Sequence, residues 1–190
     1  MTEKPNHRQK LIQSTIKLFR RKGYAATGLN EILKNSGTPK GSLYYYFPEG
    51  KEQLGAQAVK AAADTVLTTL EKLEEKTETG ADFIHQYCEL LAYWITASGY
   101  NDGCPITTTL LEQSAISEKI ASAGDDGFKK WRSVFSRAFV KDGSTNEVAN
   151  ENSLVILSAI QGAILLSRVS RNTDAIMAVG RLYSKIQPAS

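Results

Sequence analysis

The sequence predicts an all-α protein: an N-terminal three-helix helix-turn-helix domain over residues 1–50, joined to a larger helical domain over 51–190. Two observations carry this. Apolar residues recur at helical spacing along almost the whole chain, and no segment alternates with the period of two that a half-buried strand needs. A third is permissive, because only 5 prolines in 190 residues leave room for long helices. No internal repeat is present.

The first helix is expected from about Asn6 to Lys22. Asn6 is suited to the N-cap and Gln9 occupies the capping-box position. Leu11, Ile12, Thr15, Ile16, Leu18 and Phe19 form its apolar stripe. Arg20, Arg21 and Lys22 suit the negative end of the helix dipole, and Gly23 stops the helix. A short second helix follows, with Thr27 as its expected cap and Leu29, Ile32 and Leu33 as its inner face. Ser36-Gly37-Thr38 makes the turn, and Pro39 suits the first turn of a third helix that ends near Phe47-Pro48. Two short helices around a glycine-containing turn have the form of a helix-turn-helix. Longer helices are expected over 52–76, 82–97, 107–114, 117–141, 150–170 and 174–187. Breaks fall at the Gly99, Asn101 and Gly103 loop and at Asp142-Gly143-Ser144.

Charge is divided unevenly. Residues 1–51 carry ten Lys/Arg against three Asp/Glu, a balance of +7, and the remainder carries 13 against 17, a balance of −4. A small basic domain on an acidic body points to a polyanionic partner, against the alternative of a solvated basic surface. The chain holds 2 histidines, and shows no nucleophile motif, phosphate loop or metal-ligand spacing, so neither an enzyme nor a metal or cofactor site is expected. Cys88 and Cys104 fit no zinc or redox spacing, and a reducing cytoplasm is the expected location. The N-terminus is polar through Lys10, so no secretory leader is expected. The most apolar stretch, Leu154 to Leu166, reads as too short to span a bilayer, and no membrane partner is expected.

From Leu11 to Leu54 the chain resembles the DNA-binding module of the tetracycline-repressor (TetR) family. Leu18-Phe19, Gly23-Tyr24, Thr27, Ile32, Gly37, Lys40-Gly41, Leu43-Tyr44, Phe47, Lys51 and Leu54 carry the resemblance. Departures from the family's pattern are Ser14 and Thr15, where alanines are usual, and Thr38, where an apolar residue is usual. The resemblance implies a cytoplasmic bacterial regulator, associated with the nucleoid, that binds palindromic operator DNA as a homodimer and is released by a small-molecule effector. Its DNA-binding residues would be Thr27, Lys40, Gly41, Tyr44, Tyr45 and Lys51. Phe47-Pro48-Glu49-Gly50-Lys51 and Gly103-Cys104-Pro105-Ile106 resemble the LmrA/YxaF-like subgroup, which implies a role at efflux or catabolic genes and an aromatic effector such as a flavonoid.

The residues support this independently. The third helix is too polar and aromatic for a plain core helix. Leu43 and Phe47, four apart, can anchor it inward and leave Lys40, Ser42, Tyr44 and Tyr45 outside. Gly41 permits close backbone approach, Tyr44 can meet a thymine methyl or base edge, and Lys40 can donate to guanine or phosphate. Thr27 lies at a helix N-terminus, a phosphate-binding position, and Lys51 is a second clamp. Tyr46 reads equally as packing or contact.

In the larger domain Phe83, Tyr87, Leu91 and Trp94 form one aromatic-rich stripe, and Phe128, Trp131 and Phe135 another. Such stripes are core or the wall of a cavity. The resemblance implies the cavity, lined by Tyr87, Leu91, Trp94, Thr107, Leu111, Trp131 and Phe135, with Thr108 and Gln161 as further polar candidates. Cys104 reads as a packed residue or a thiol sensor. The helix over 150–170 is apolar on more than one side, and its surplus face, with Leu154, Ser158, Gly162 and Leu165, must be covered. The resemblance implies that it pairs with its copy. Two other functions fit less well: an architectural DNA-binding protein without a ligand, and an activator in place of a repressor.

Overall fold

A computed structural model describes residues 6–183. These form helices α1 (His7–Lys22), α2 (Leu29–Ser36), α3 (Lys40–Tyr46), α4 (Lys51–Glu74), α5 (Gly80–Ala97), α6 (Thr107–Gln113), α7 (Glu118–Lys141), α8 (Asn146–Ser170) and α9 (Asp174–Tyr183), with no strand among them. The all-α expectation holds. The expected end of the last helix, including Ile186 and Gln187, lies outside the described residues.

The chain divides into two compact units. One comprises residues up to Asp64 with Pro105–Asp126, the other Thr65–Cys104 with the residues from Gly127 onward. Packing therefore groups α6 and the start of α7 with α1–α3.

In the first unit Leu11, Ile12, Leu18, Phe19, Ile32, Leu43, Phe47 and Leu54 form one buried cluster. Asn6 caps α1 as expected, its side chain accepting from the Gln9 N–H at 3.0 Å. The chain leaves α1 through Gly23 at φ +84°, and the helix-turn-helix turn runs through Gly37 at φ +63°, left-handed backbone that glycine adopts without steric cost. The family departures are chemically satisfied. Ser14 Oγ lies 3.2 Å from the Ile32 carbonyl and 3.1 Å from Asn35 Oδ1. Thr15 donates to the Leu11 carbonyl at 2.8 Å, and Thr38 Oγ1 is 2.7 Å from Ser36 Oγ. Buried hydroxyls in place of methyl groups thus cost little, since each has a partner. Two expectations are corrected. Gly28, not Thr27, is the N-cap of α2, and Pro39, expected in the first turn of α3, is instead its N-cap, its carbonyl accepting from the Ser42 N–H at 3.0 Å.

In the second unit α5, α8 and α9 pack on one another. Phe83, Ile84 and Cys88 of α5, Ile156, Ile160, Ala163 and Ile164 of α8, and Ile176 and Tyr183 of α9 are buried. Helix α8 begins at Asn146, four residues before the expected Asn150, because Thr145 caps it by accepting from the Val148 N–H. At 25 residues it exceeds the Leu154–Leu166 stretch and is long and apolar enough to cross a membrane by length and composition alone. One side of it is nevertheless buried against α5 and α9.

The start of α5 is tightly built. The Asp142 carboxylate accepts from the backbone N–H groups of Gly80 and Ala81 at 2.7 and 2.8 Å, and Thr79 caps the helix. A Cβ at Gly80 would lie 2.2 Å from the Ala138 carbonyl oxygen, a backbone atom that cannot swing aside. Gly80→Ala should therefore cost about 1–3 kcal/mol, the scale of an overpacked site, despite alanine's better helix propensity. An unchanged denaturant midpoint would show that α5 can shift to admit the methyl group.

Candidate nucleic-acid interface

Helix α3 is held by two residues. Leu43 and Phe47 are buried in the first unit's cluster, so the rest of this short helix faces outward. Lys40, Gly41, Tyr44 and Tyr45 are exposed, Tyr44 at 49% and Tyr45 at 79%. Tyr46 is also exposed, and the Tyr45 ring packs edge-on against it with centroids 4.9 Å apart. The result is a surface of one lysine, one bare backbone position and phenolic side chains. These groups suit a DNA groove: hydroxyls and an ammonium for phosphate and base edges, ring faces for thymine methyls.

Three other sequence-predicted residues behave differently. Ser42 is half-buried, its Oγ 2.9 Å from His7 Nδ1. Thr27 is fully buried, and its hydroxyl donates to the Gly23 carbonyl at 2.8 Å, closing the α1–α2 connection from inside. Lys51 donates from Nζ to the Tyr24 carbonyl at 2.7 Å and lies over the Tyr24 ring, 4.2 Å from its centroid. Burial lowers the Lys51 pKa, and the nearby Glu112 carboxylate opposes that shift. Nζ has two further hydrogens, so a phosphate contact is compatible with the Tyr24 bond. Lys51→Ala should then act twice. It should lower the melting temperature through the lost carbonyl bond and cation–π contact, about 1–2 kcal/mol. It should also flatten the salt dependence of DNA binding by about one unit of log–log slope per lost phosphate contact. A lower melting temperature with an unchanged slope would restrict Lys51 to an internal role.

Glu112 was not legible as a neighbour of this region. Its Oε2 accepts from the Ala25 N–H at 2.6 Å, across 87 positions of sequence, and a Cβ at Gly23 would lie 1.8 Å from its Oε1. Helix α6 thus grips the α1–α2 connection through one carboxylate, which lies in the space left by the missing side chain of Gly23. Ser117 Oγ bonds Glu52 Oε1 at 2.6 Å, and Lys119 pairs with Glu49. His7, Glu112, Ser117 and Lys119 leave no periodic trace in the sequence, since each acts through a single long-range polar contact.

The second unit gathers part of the expected aromatic set. The Phe135 ring lies 5.6 Å from that of Phe83 and 6.0 Å from that of Tyr87, and Trp131 packs edge-on against Phe128 at 5.4 Å. Tyr87, Trp131 and Phe135 are buried, Leu91 is half-buried and Trp94 is exposed. Thr107 and Leu111 belong to the first unit, Leu111 being 81% exposed. Burial, with smaller effects of the Cys104 and Cys88 thiols, pushes the Tyr87 phenol above its ordinary range, so it stays protonated and available as a donor. Burial also pushes the Cys88 thiol up to about 12, which keeps it out of the reactive thiolate form near neutral pH.

Helix α8 separates its apolar residues cleanly. Ile160, Ala163 and Ile164 are buried within the unit, whereas Leu154, Val155, Ser158, Gly162, Leu165, Leu166 and Val169 lie exposed at helical spacing. Leu165 is 59% and Val169 77% exposed. One stripe of aliphatic side chains around a glycine is a surface that a partner helix can cover.

Residues 11–58 match the model of the bacterial regulatory proteins, tetR family, and residues 80–182 match that of the transcriptional regulator LmrA/YxaF-like C-terminal domain. The HTH-type transcriptional regulator LmrA of Bacillus subtilis (strain 168) is 34% identical over 90% of this chain and 90% of its own length. The YxaF regulator of the same organism is 32% identical over 94% of both. The HTH-type transcriptional repressor NemR of Escherichia coli is 27% identical over 89% of this chain and 87% of its own. A crystal structure of E. coli NemR in its reduced form has a TM-score of 0.86, 25% identity, and covers 97% of this chain and 100% of that one. These relatives are transcriptional regulators, not enzymes, in agreement with the motif-poor sequence. The chain therefore belongs to the tetR family of bacterial DNA-binding transcriptional regulators, with the C-terminal domain of its LmrA/YxaF-like members.

Proposed function

We propose that the protein is a ligand-responsive repressor that binds palindromic operator DNA as a homodimer and is released by a small aromatic or hydrophobic effector. The observation that carries this is the outer face of α3, where Lys40, Gly41, Tyr44 and Tyr45 stand exposed over a buried Leu43–Phe47 anchor. Ser42 and Lys51 complete the contact set, and Thr27 supports it from within by fixing the start of α2. In functional terms residues 1–50 bind DNA, and 51–190 bind effector and partner. The α8 stripe supplies the dimer contact through Leu154, Ser158, Gly162 and Leu165. A two-fold axis then places one recognition helix in each of two successive major grooves. NemR is named a transcriptional repressor; in this reading the protein represses likewise, by occupying a promoter in the cytoplasm, on nucleoid DNA.

Within the second unit, the effector would be held by Tyr87, Leu91, Trp94, Trp131 and Phe135. Two states of the dimer, with recognition helices at operator spacing or spread from it, exchange in solution. The effector favours the spread state only by its differential affinity, and operator DNA must weaken effector binding by the same factor. The direct test is a gel shift on DNA upstream of the protein's own gene, with and without aromatic compounds. A retarded band that the compounds abolish is expected. A band that no compound affects would favour the architectural alternative, which the deep burial of Trp131 and Phe135 also fits.

Trp131→Phe separates these two. The smaller ring keeps most of the apolar volume, so operator binding should persist. The effector concentration needed for release should rise about three- to tenfold, through lost stacking area and the lost indole donor. A lower melting temperature with an unchanged effector dose-response would assign Trp131 to the core alone.

A further inference from the structure

The first turn of α1 lies ahead of the family-defining segment, which begins at residue 11. Asn6 caps it and fixes His7 and Arg8 on helical backbone. Both side chains then reach the recognition helix and its surroundings. His7 Nδ1 is 2.9 Å from Ser42 Oγ, across 35 positions. The Arg8 guanidinium lies 5.9 Å from the centroid of the Phe47 ring and donates to Gln57 Oε1 at 3.0 Å. Arg8 is thus held at two points beside the α3 anchor, while His7 touches a side chain in the first turn of α3 itself, next to the exposed Lys40 and Gly41.

A serine hydroxyl reads either polarity of base edge, because it has one hydrogen and two lone pairs and rotates freely. A fixed neighbour removes that ambiguity. If the neighbour takes the hydrogen, only acceptor capacity remains for DNA. In the major groove the complementary donors are adenine N6 and cytosine N4.

We propose that His7 is a positioning residue for base readout. Its Nδ1 accepts the Ser42 hydroxyl hydrogen, so Ser42 meets DNA as an acceptor and selects a base amino group at one position of each half-site. This rests on the reading that α3 enters the major groove, and it assigns a specificity role to a residue outside the recognition helix. Ser42 touches the base in this scheme, and His7 acts only through it.

The test is selection from a randomised duplex library, with purified full-length wild type, His7→Ala, His7→Asn, Ser42→Ala and the double alanine variant. Asparagine can present Oδ1 as an acceptor in the place of Nδ1. Wild type should enrich a palindrome with an adenine or cytosine preference at one position per half-site. His7→Ala should keep the rest of the motif and lose about three- to tenfold discrimination at that position, the scale of one neutral hydrogen bond. Ser42→Ala should lose the same position, the double variant should lose no more, and His7→Asn should restore it. Melting temperatures establish that each variant is folded. Should His7→Ala not fold, a Ser42→Ala motif identical to wild type would itself overturn the proposal, and His7→Asn remains a test of the acceptor. A His7→Ala motif equal to wild type, or one weakened evenly on all sequences, would also overturn it while leaving the regulator reading intact. Failure of wild type to enrich any sequence would remove both.

Discussion

Gly162→Glu is expected to leave the fold of each chain intact and convert the proposed dimer to monomer. Gly162 is exposed in the middle of α8, and a Cβ placed there meets nothing within 4 Å. Glutamate also favours helix over glycine by roughly 0.5–1 kcal/mol at such a site. The chain on its own therefore gives no reason for the substitution to destabilise. The stripe around it does give a reason for it to prevent association. Leu154, Val155, Leu165, Leu166 and Val169 are all exposed on the same helix, and Gly162, with no side chain, is where a second backbone could approach most closely in the proposed dimer. In the proposed dimer a carboxylate buried there would face its own copy across the two-fold axis. Leaving a buried charge uncompensated costs about 3–5 kcal/mol, and symmetry imposes it from both chains. Sedimentation equilibrium should show a monomer with an undiminished melting temperature. Operator affinity should collapse toward that of a single half-site, because linkage of the two heads is lost. An intact dimer would move the interface off this face of α8.

How far the fold could be read in advance depended on whether a segment's signal was local. The stripe of α1, the Asn6 cap, Gly23, Gly37 and the Asp142–Ser144 break act within one or two turns, and each stands where its chemistry requires. The start of α8 is hidden in the sequence because Thr145 and Val148 form a cap without an apolar run to announce it. Thr27 misleads in a different way. A threonine beside a helix start has the composition of a cap, but its hydroxyl was taken by Gly23, four residues back in the chain. In α8 the sequence showed an excess of apolar residues and could not divide it. Only packing against α5 and α9 separates buried Ile160, Ala163 and Ile164 from exposed Leu154, Leu165 and Leu166. The outer face of α3 was legible because Leu43 and Phe47 fix the helix rotation. The polar contacts behind it, His7 to Ser42 and Glu112 to Ala25, were not, because a single hydrogen bond between distant residues imposes no pattern.

Tyr44→Ala is expected to reduce operator affinity severely and leave the rest of the molecule unchanged. Tyr44 lies one position past the buried Leu43, is 49% exposed, and has no part in the buried cluster of the first unit. Alanine is the stronger helix former, so α3 itself should not suffer. A good base or phosphate contact is worth about 1–3 kcal/mol, and a symmetric operator engages the residue twice. The combined loss is about 2–6 kcal/mol, or from about thirtyfold to about twenty-thousandfold in affinity. A phenol hydroxyl neutralises no phosphate charge, so the loss should come without a change in salt slope, unlike that of Lys51→Ala. Tyr44→Phe divides the effect. If the ring meets a thymine methyl, phenylalanine should retain most of the affinity. If the hydroxyl reaches a base edge or phosphate, phenylalanine should lose nearly as much as alanine. Wild-type affinity in a folded Tyr44→Ala protein would remove Tyr44 from the interface. The proposed docking of α3 would then have to turn about its Leu43–Phe47 anchor, toward Lys40 and Tyr45.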